Sequence, residues 1–202
     1  MGMTIDAFLP RDKPFCLNAG KAILNGQSRK VLDFWSWAYS DLMQNITRGY
    51  VAQYIVAWAL GVDKKPNYPW ESFDLRSPKP HNKRIEVKST SFLQSWIPPR
   101  KEPKPLFVLS PRLPYSYSDG YGKKPEWNAD IYVLSYLHCR DVDKVDVMNL
   151  DQWKFWVLTK ADLTRMLNGG KSLTVRKLEN KLKEMCPAFS ASGLRDAILR
   201  IR

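Results

Sequence analysis

The stretch that most constrains this chain runs from Trp70 to Trp96. Arg84, Glu86, Lys88 and Thr90 are polar, and Ile85 and Val87 between them are apolar. A period of two predicts a β-strand with one wet face and one core face. Upstream, Ser72-Phe73-Asp74-Leu75 alternates as well, with Phe73 and Leu75 apolar and Asp74 on the other face. The connection Ser77-Pro78-Lys79-Pro80-His81-Asn82 is turn chemistry, so the two strands are expected to form a hairpin. Glu86 and Lys88 then project from one face, roughly 6.5 Å apart along the strand. The hairpin brings Asp74 close to Glu86, so two carboxylates and one lysine share the wet side of a small sheet.

That grouping suits a hard divalent cation, Mg²⁺ or Mn²⁺. Such ions take oxygen ligands, usually one or two carboxylates with water and substrate phosphate. Bound there, the ion polarises a phosphate, and a neighbouring ammonium neutralises developing charge. The same residues read equally as a solvated Glu-x-Lys pair, a common spacing in a basic chain.

The pattern extends beyond spacing. Asp74, eleven intervening residues, then Glu86-Val87-Lys88 on a strand resembles the PD-(D/E)xK phosphodiesterase superfamily, the restriction-endonuclease-like fold. Asn45-Ile46-Thr47-Arg48-Gly49-Tyr50-Val51-Ala52-Gln53-Tyr54 looks like the helix that precedes the catalytic hairpin there. The runs Ile85–Thr90 with Leu93–Trp96, Asn128–Val133 and Asn149–Trp153 are similar to a bacterial branch of it. The resemblance spans about Asn45 to Leu163.

It implies an α/β fold, a restriction-endonuclease-like core with a mixed β-sheet of about five strands flanked by helices. It also implies a metal-dependent nuclease that hydrolyses phosphodiester bonds, expected in DNA. Asp74 and Glu86 would hold the metal, with Val87 offering a backbone carbonyl, and Lys88 would orient the attacking water. Gln53 would close the site. In the family this position, after Arg-Gly-x-x-Ala, is commonly Glu. A neutral amide oxygen can still bind a cation, but one negative charge is removed. The rival reading is therefore a DNA- or RNA-binding protein that does not cut, on the same scaffold.

Length and charge agree with either reading. At 202 residues one domain is the default, with a core over about residues 28–167 and a basic helical part over 172–202. Eight Trp and 44% apolar residues can fill that core. A formal charge of +12 speaks of partners rather than fold, and nucleic acid is the commonest polyanion. On charge alone, a membrane-surface or protein-interaction module is a third reading. No stretch approaches the roughly 20 apolar residues of a transmembrane helix, and Met1–Asp6 lacks a basic segment followed by an apolar one, so no signal peptide is expected. Cys16, Cys139 and Cys186, odd in number and widely spaced, suit a reducing compartment, so a cytoplasmic location is expected. A homodimer is left open.

Along the chain, residues 1–27 read as irregular apart from Phe15-Cys16-Leu17. A helix is expected from Ser28 through Val31, Phe34, Trp35, Ala38 and Leu42, with Ser28 as its cap. A second runs from Asn45 to Leu60 and stops at Gly61. Ile46, Gly49, Tyr50, Val56, Ala57 and Leu60 are expected on one face of it, with Gln53 in the middle. Gln94 is placed to touch the ion's waters or a base, or else is a surface amide. The proline-rich run 97–105 cannot be regular. Leu106–Leu109 suggests a central strand. Residues 111–127 read as a long loop that gathers Tyr115, Tyr117 and Tyr121 with Arg112, Lys123 and Lys124. That composition can stack on and clamp a nucleic-acid strand, or it is a tyrosine-rich surface loop. Ala129–Leu137 reads as a buried strand with Asp130 capping its start, and Trp153–Leu158 as another. Thr159-Lys160-Ala161-Asp162 opens a short helix by a capping box. A basic helix, Arg176 to Met185, and a last helix, Ser192 to Ile201, are expected beyond it.

Overall fold

Seven consecutive residues, Ile131–Leu137 (β6), are all buried and form the middle of the sheet. The computed structural model describes residues 28–64, 67, 71–95, 104–116 and 120–201. Residues 1–27, most of the proline-rich run 97–105 and Tyr117 lie outside the described residues. The fold is α/β, with a mixed four-stranded sheet flanked by helices. Its order is β1 (Leu75–Arg76), β2 (Arg84–Ser91), β6 and β7 (Trp153–Thr159). β1 pairs antiparallel with β2, β2 parallel with β6, and β6 antiparallel with β7.

Four strands rather than about five make this sheet, because Leu106–Val108 (β3) does not join it. It pairs with Ser172–Thr174 (β8) in a separate two-stranded ribbon, and Leu106 and Val108 are exposed. A third pair is Tyr115–Ser116 (β4) with Gly120–Tyr121 (β5).

Register sorts the side chains into two layers. Glu86, Lys88 and Thr90 lie opposite Tyr132, Leu134 and Tyr136 and share their face. That face is covered by Phe107 of β3, Leu173 of β8 and Leu163, Met166 and Leu167 of α3 (Lys160–Leu167). The other face carries Ile85, Val87, Ile131 and Val133. It packs on Ala52, Ile55, Val56 and Leu60 of α2 (Asn45–Leu60) and on Leu194 and Ile198 of α4 (Ala191–Leu199).

α2 has the expected bounds, and Gly61 closes it in the left-handed conformation at φ 71°. Its buried face differs from the expected one. Ile46 and Tyr50 are exposed, and with Tyr54 and Trp58 they form a stripe on the outer side. Thr47 and Arg48 are buried instead, because both side chains are hydrogen-bonded inside. The first helix, α1 (Val31–Tyr39), starts at Lys30, whose N–H donates to Asp33 Oδ2 (2.7 Å), rather than at Ser28. Thr159 and Asp162 form the expected capping box of α3. The basic helix is shorter than expected, a wide turn over Lys177–Lys181. Among the described residues no helix is long and apolar enough to cross a membrane.

Candidate functional site

The hairpin forms as expected: the Ser77 N–H donates to the Lys83 carbonyl (2.9 Å), and the Lys83 N–H to Ser77 Oγ (2.8 Å). Its first strand is shorter than the alternation predicts. Leu75 is the register partner of Ile85, yet the Asp74 N–H also donates to the Ile85 carbonyl (3.0 Å). Two consecutive residues thus address one residue of β2, as in a bulge. Phe73 and Leu75 consequently pack in opposite layers instead of sharing a face.

The irregularity delivers the Asp74 carboxylate to the edge of β2. Oδ2 accepts the Val87 N–H at 2.7 Å, and Oδ1 accepts the Gln53 side-chain amide at 2.9 Å. The Lys88 ammonium donates to Glu86 Oε1. Glu86 and Lys88 side chains are only 18% and 29% exposed, so they are not the solvated pair their spacing equally allowed. Burial pushes the Asp74 carboxyl up to about 7, and the Glu86 carboxylate pushes the same way. The Val87 N–H, Lys88 and Arg112 pull it down without cancelling this. Burial also raises the Tyr132 phenol, next to Glu86 in register, to about 12.

Gln53 stands beside the carboxylates, but not with its oxygen toward them. Oε1 accepts from Asn67 Nδ2 at 2.6 Å, so the amide presents its NH₂ to Asp74. The amide oxygen expected as a cation ligand is taken, and Gln53 acts here as a donor.

The expected loop 111–127 is a hairpin over its described residues. Arg112 and Glu126 exchange backbone hydrogen bonds at 2.9 Å, and β4 and β5 close the tip. The Tyr115 and Tyr121 rings meet at 5.0 Å. Gly122 is required where the arms cross: a Cβ there would lie 2.6 Å from Pro114 Cγ. Ser72, two residues before Asp74, ties the hairpin to the site, since its hydroxyl donates to the Tyr115 carbonyl (2.7 Å). Arg112 lines a small cavity with Glu86 and Lys88. Lys123 and Lys124 are exposed at the hairpin's base. Gln94 lines a larger cleft on the other side of Lys88, and its Nε2 donates to the Ser91 carbonyl (2.9 Å). Asp130 does cap its strand: it accepts the Arg84 backbone N–H (2.9 Å) and guanidinium (2.8 Å).

Sequence reasoning missed Asn67, Ser72 and Arg48. Arg48 alone left a signal, as the one charged residue among the sixteen of α2. Among the described residues no three His, Cys, Asp or Glu side chains converge. The groups that would hold a cation are Asp74, Glu86 and the Val87 carbonyl, which lies on the same edge of β2 as the Val87 N–H. Two carboxylates match the usual demand of Mg²⁺, and a cation would offset the burial and the Glu86 charge that raise Asp74. Comparison with known proteins adds no relative: no protein-family model, no curated protein and no solved structure matches the chain.

Proposed function

We propose that the chain is a divalent-metal-dependent phosphodiesterase acting on nucleic acid, with DNA as the first substrate to test. On this reading it is a member of the PD-(D/E)xK superfamily, with a restriction-endonuclease-like core. One observation carries the proposal: Asp74 and Glu86 are partly buried side by side, Asp74 Oδ2 on the Val87 N–H and the Lys88 ammonium on Glu86, and burial with the Glu86 charge holds the Asp74 carboxyl at about 7. Carboxyl groups raised this far by burial and a like charge cluster at functional sites. Asp74, Glu86 and the Val87 carbonyl hold Mg²⁺ or Mn²⁺, which supplies Lewis acidity and charge neutralisation at the phosphate. Lys88 orients the attacking water and steadies charge on the phosphate oxygens as the ester oxygen leaves. Arg112, lining the same cavity, adds a second positive charge. The +12 chain gathers the polyanion by long-range attraction.

Gln53 favours a second reading, a nucleic-acid-binding protein that does not cut. It sets a hydrogen-bond donor against Asp74 where the family commonly has a third carboxylate. Nicking of supercoiled DNA with Mg²⁺ or Mn²⁺, by wild type and Lys88→Ala, separates the two. Cleavage by the wild type that is lost in Lys88→Ala supports the enzyme. Tight DNA binding without cleavage supports the binder. Cleavage that survives Lys88→Ala removes this site from the reaction.

A further inference from the structure

Beyond Lys88 from the carboxylates lies a cleft of about 500 Å³. Arg48, Lys88 and Lys104 line it, with Ser89 and Gln94, and among the described residues no carboxylate does. Arg48 is the informative member, being 3% exposed. Its Nη1 donates to the Met43 carbonyl (2.7 Å), Nη2 to Asn45 Oδ1 (2.6 Å) and Nε to Ser89 Oγ (3.3 Å). All three acceptors are neutral. No ion pair among the described residues involves Arg48, and Asp41 acts on it only through space.

A guanidinium buried without a counter-ion is costly, and burial drags its pKa down to about 10. Three hydrogen bonds leave part of its five-donor fork unused, and that fork matches phosphate geometry. Lys104 stands exposed at the cleft, and Lys88 belongs both to it and to the carboxylate site. The cleft is therefore a cationic cavity that shares Lys88 with the candidate site.

We propose that this cleft seats a backbone phosphodiester of the bound strand, next to the phosphate at the carboxylate site, with Arg48 and Lys104 as its holders. The identity of the anion rests on the nuclease reading of the neighbouring site. The cleft's cationic character does not.

Binding is measured on the full chain in EDTA, by anisotropy of a labelled single-stranded oligonucleotide at several salt concentrations. Wild type is compared with Lys104→Glu, Arg48→Gln and Lys183→Glu, the last the same Lys-to-Glu change at an exposed residue that does not line the cleft. Lys104→Glu is expected to weaken binding about tenfold more than Lys183→Glu, and to lower the salt slope by about one. Arg48→Gln is read only with a melting curve showing that it folds; Lys104 is exposed, so its variant decides the matter alone. Oligonucleotides with 5′-hydroxyl and 5′-phosphate ends are expected to be affected alike. Equal weakening by Lys104→Glu and Lys183→Glu overturns the proposal. So does an effect confined to 5′-phosphorylated strands, or loss of inorganic phosphate binding with oligonucleotide binding untouched. No metal is present and no cleavage is read, so a failure of the nuclease reading leaves this result standing.

Discussion

Gln53 donates its side-chain amide to Asp74 Oδ1 at 2.9 Å, and Asn67 fixes that orientation by donating to Gln53 Oε1 at 2.6 Å. The pair sets the charge of the site: two carboxylates, one lysine and a neutral donor. Gln53→Glu would place a third carboxylate against a carboxyl already raised to about 7. Without metal the variant is expected to melt below wild type. With Mn²⁺ it should bind roughly tenfold tighter, the worth of about 1.4 kcal/mol from one added charge. Calorimetric titration with Mn²⁺ checks this. Equal affinities would mean that residue 53 does not face the ion.

The raised Asp74 carboxyl makes stability fall with pH. The ordinary value is 3.8 and the folded value about 7. Between them the folded chain keeps a proton that the unfolded chain has released. Stability contributed by that proton is complete below about pH 4, declines as pH rises, and is gone above about 7. Asp74→Asn removes the titration. Its stability relative to wild type is expected to rise from pH 5 to pH 8, by roughly 2 to 4 kcal/mol. Protons also compete with metal, so stabilisation by Mn²⁺ should grow over the same interval and be absent in the variant. Urea melts at pH 5 and 8, with and without Mn²⁺, measure both effects. A pH-independent difference would show that Asp74 carries no unusual carboxyl.

Much of this arrangement was legible in the sequence, and the rest was not, for identifiable reasons. The alternation at Arg84–Thr90 and the largely apolar run at Ile131–Leu137 marked two strands that pair in the sheet. Gly61 and the Thr159–Asp162 box marked helix ends. The bulge at Asp74 was hidden, because Phe73 and Leu75 alternate as a regular strand would. β3 was misjudged since Leu106–Leu109 is apolar enough for a centre, and only pairing distinguishes a ribbon from a sheet. The buried face of α2 was misjudged because Arg48, a charge, takes an inward position that polarity argues against. Which end of the Gln53 amide faces Asp74 depends on Asn67, fourteen residues away, and composition carries no such signal.

Gly122 tests whether the hairpin at 112–126 is held in one shape beside the site. Its N–H donates to the Pro114 carbonyl at 2.7 Å, and a Cβ would meet the proline ring at 2.6 Å. Gly122→Ala forces the arms apart, an overpacking cost of about 1–3 kcal/mol. Hydrogen exchange should show lost protection at Arg112 and Glu126, whose mutual hydrogen bonds close the hairpin's base. Unchanged exchange at both would mean that the arms do not meet at Gly122.

The tip and base of that hairpin should contribute to nucleic-acid binding in two separable ways. Tyr121 is 64% exposed, and its ring rests against Tyr115 at 5.0 Å, so one tyrosine stiffens a stacking platform offered by the other. Lys123 and Lys124 are exposed and make no ion pair among the described residues. Stacking is an interaction with bases, available in single strands and hidden in duplexes, and worth about 1–3 kcal/mol per base. Phosphate contact is common to both forms and fades with salt. Tyr121→Ala is therefore expected to weaken single-stranded DNA several-fold while sparing duplex and leaving the salt slope unchanged. The double variant Lys123→Ala, Lys124→Ala should weaken both forms and lower the slope by up to about two. Anisotropy titrations of both DNA forms at two or more salt concentrations read the two effects independently. If Tyr121→Ala weakens duplex and single strand equally, the tyrosines shape the hairpin and do not touch bases. If the lysine pair leaves the slope unaltered, the strand does not pass along this side of the site.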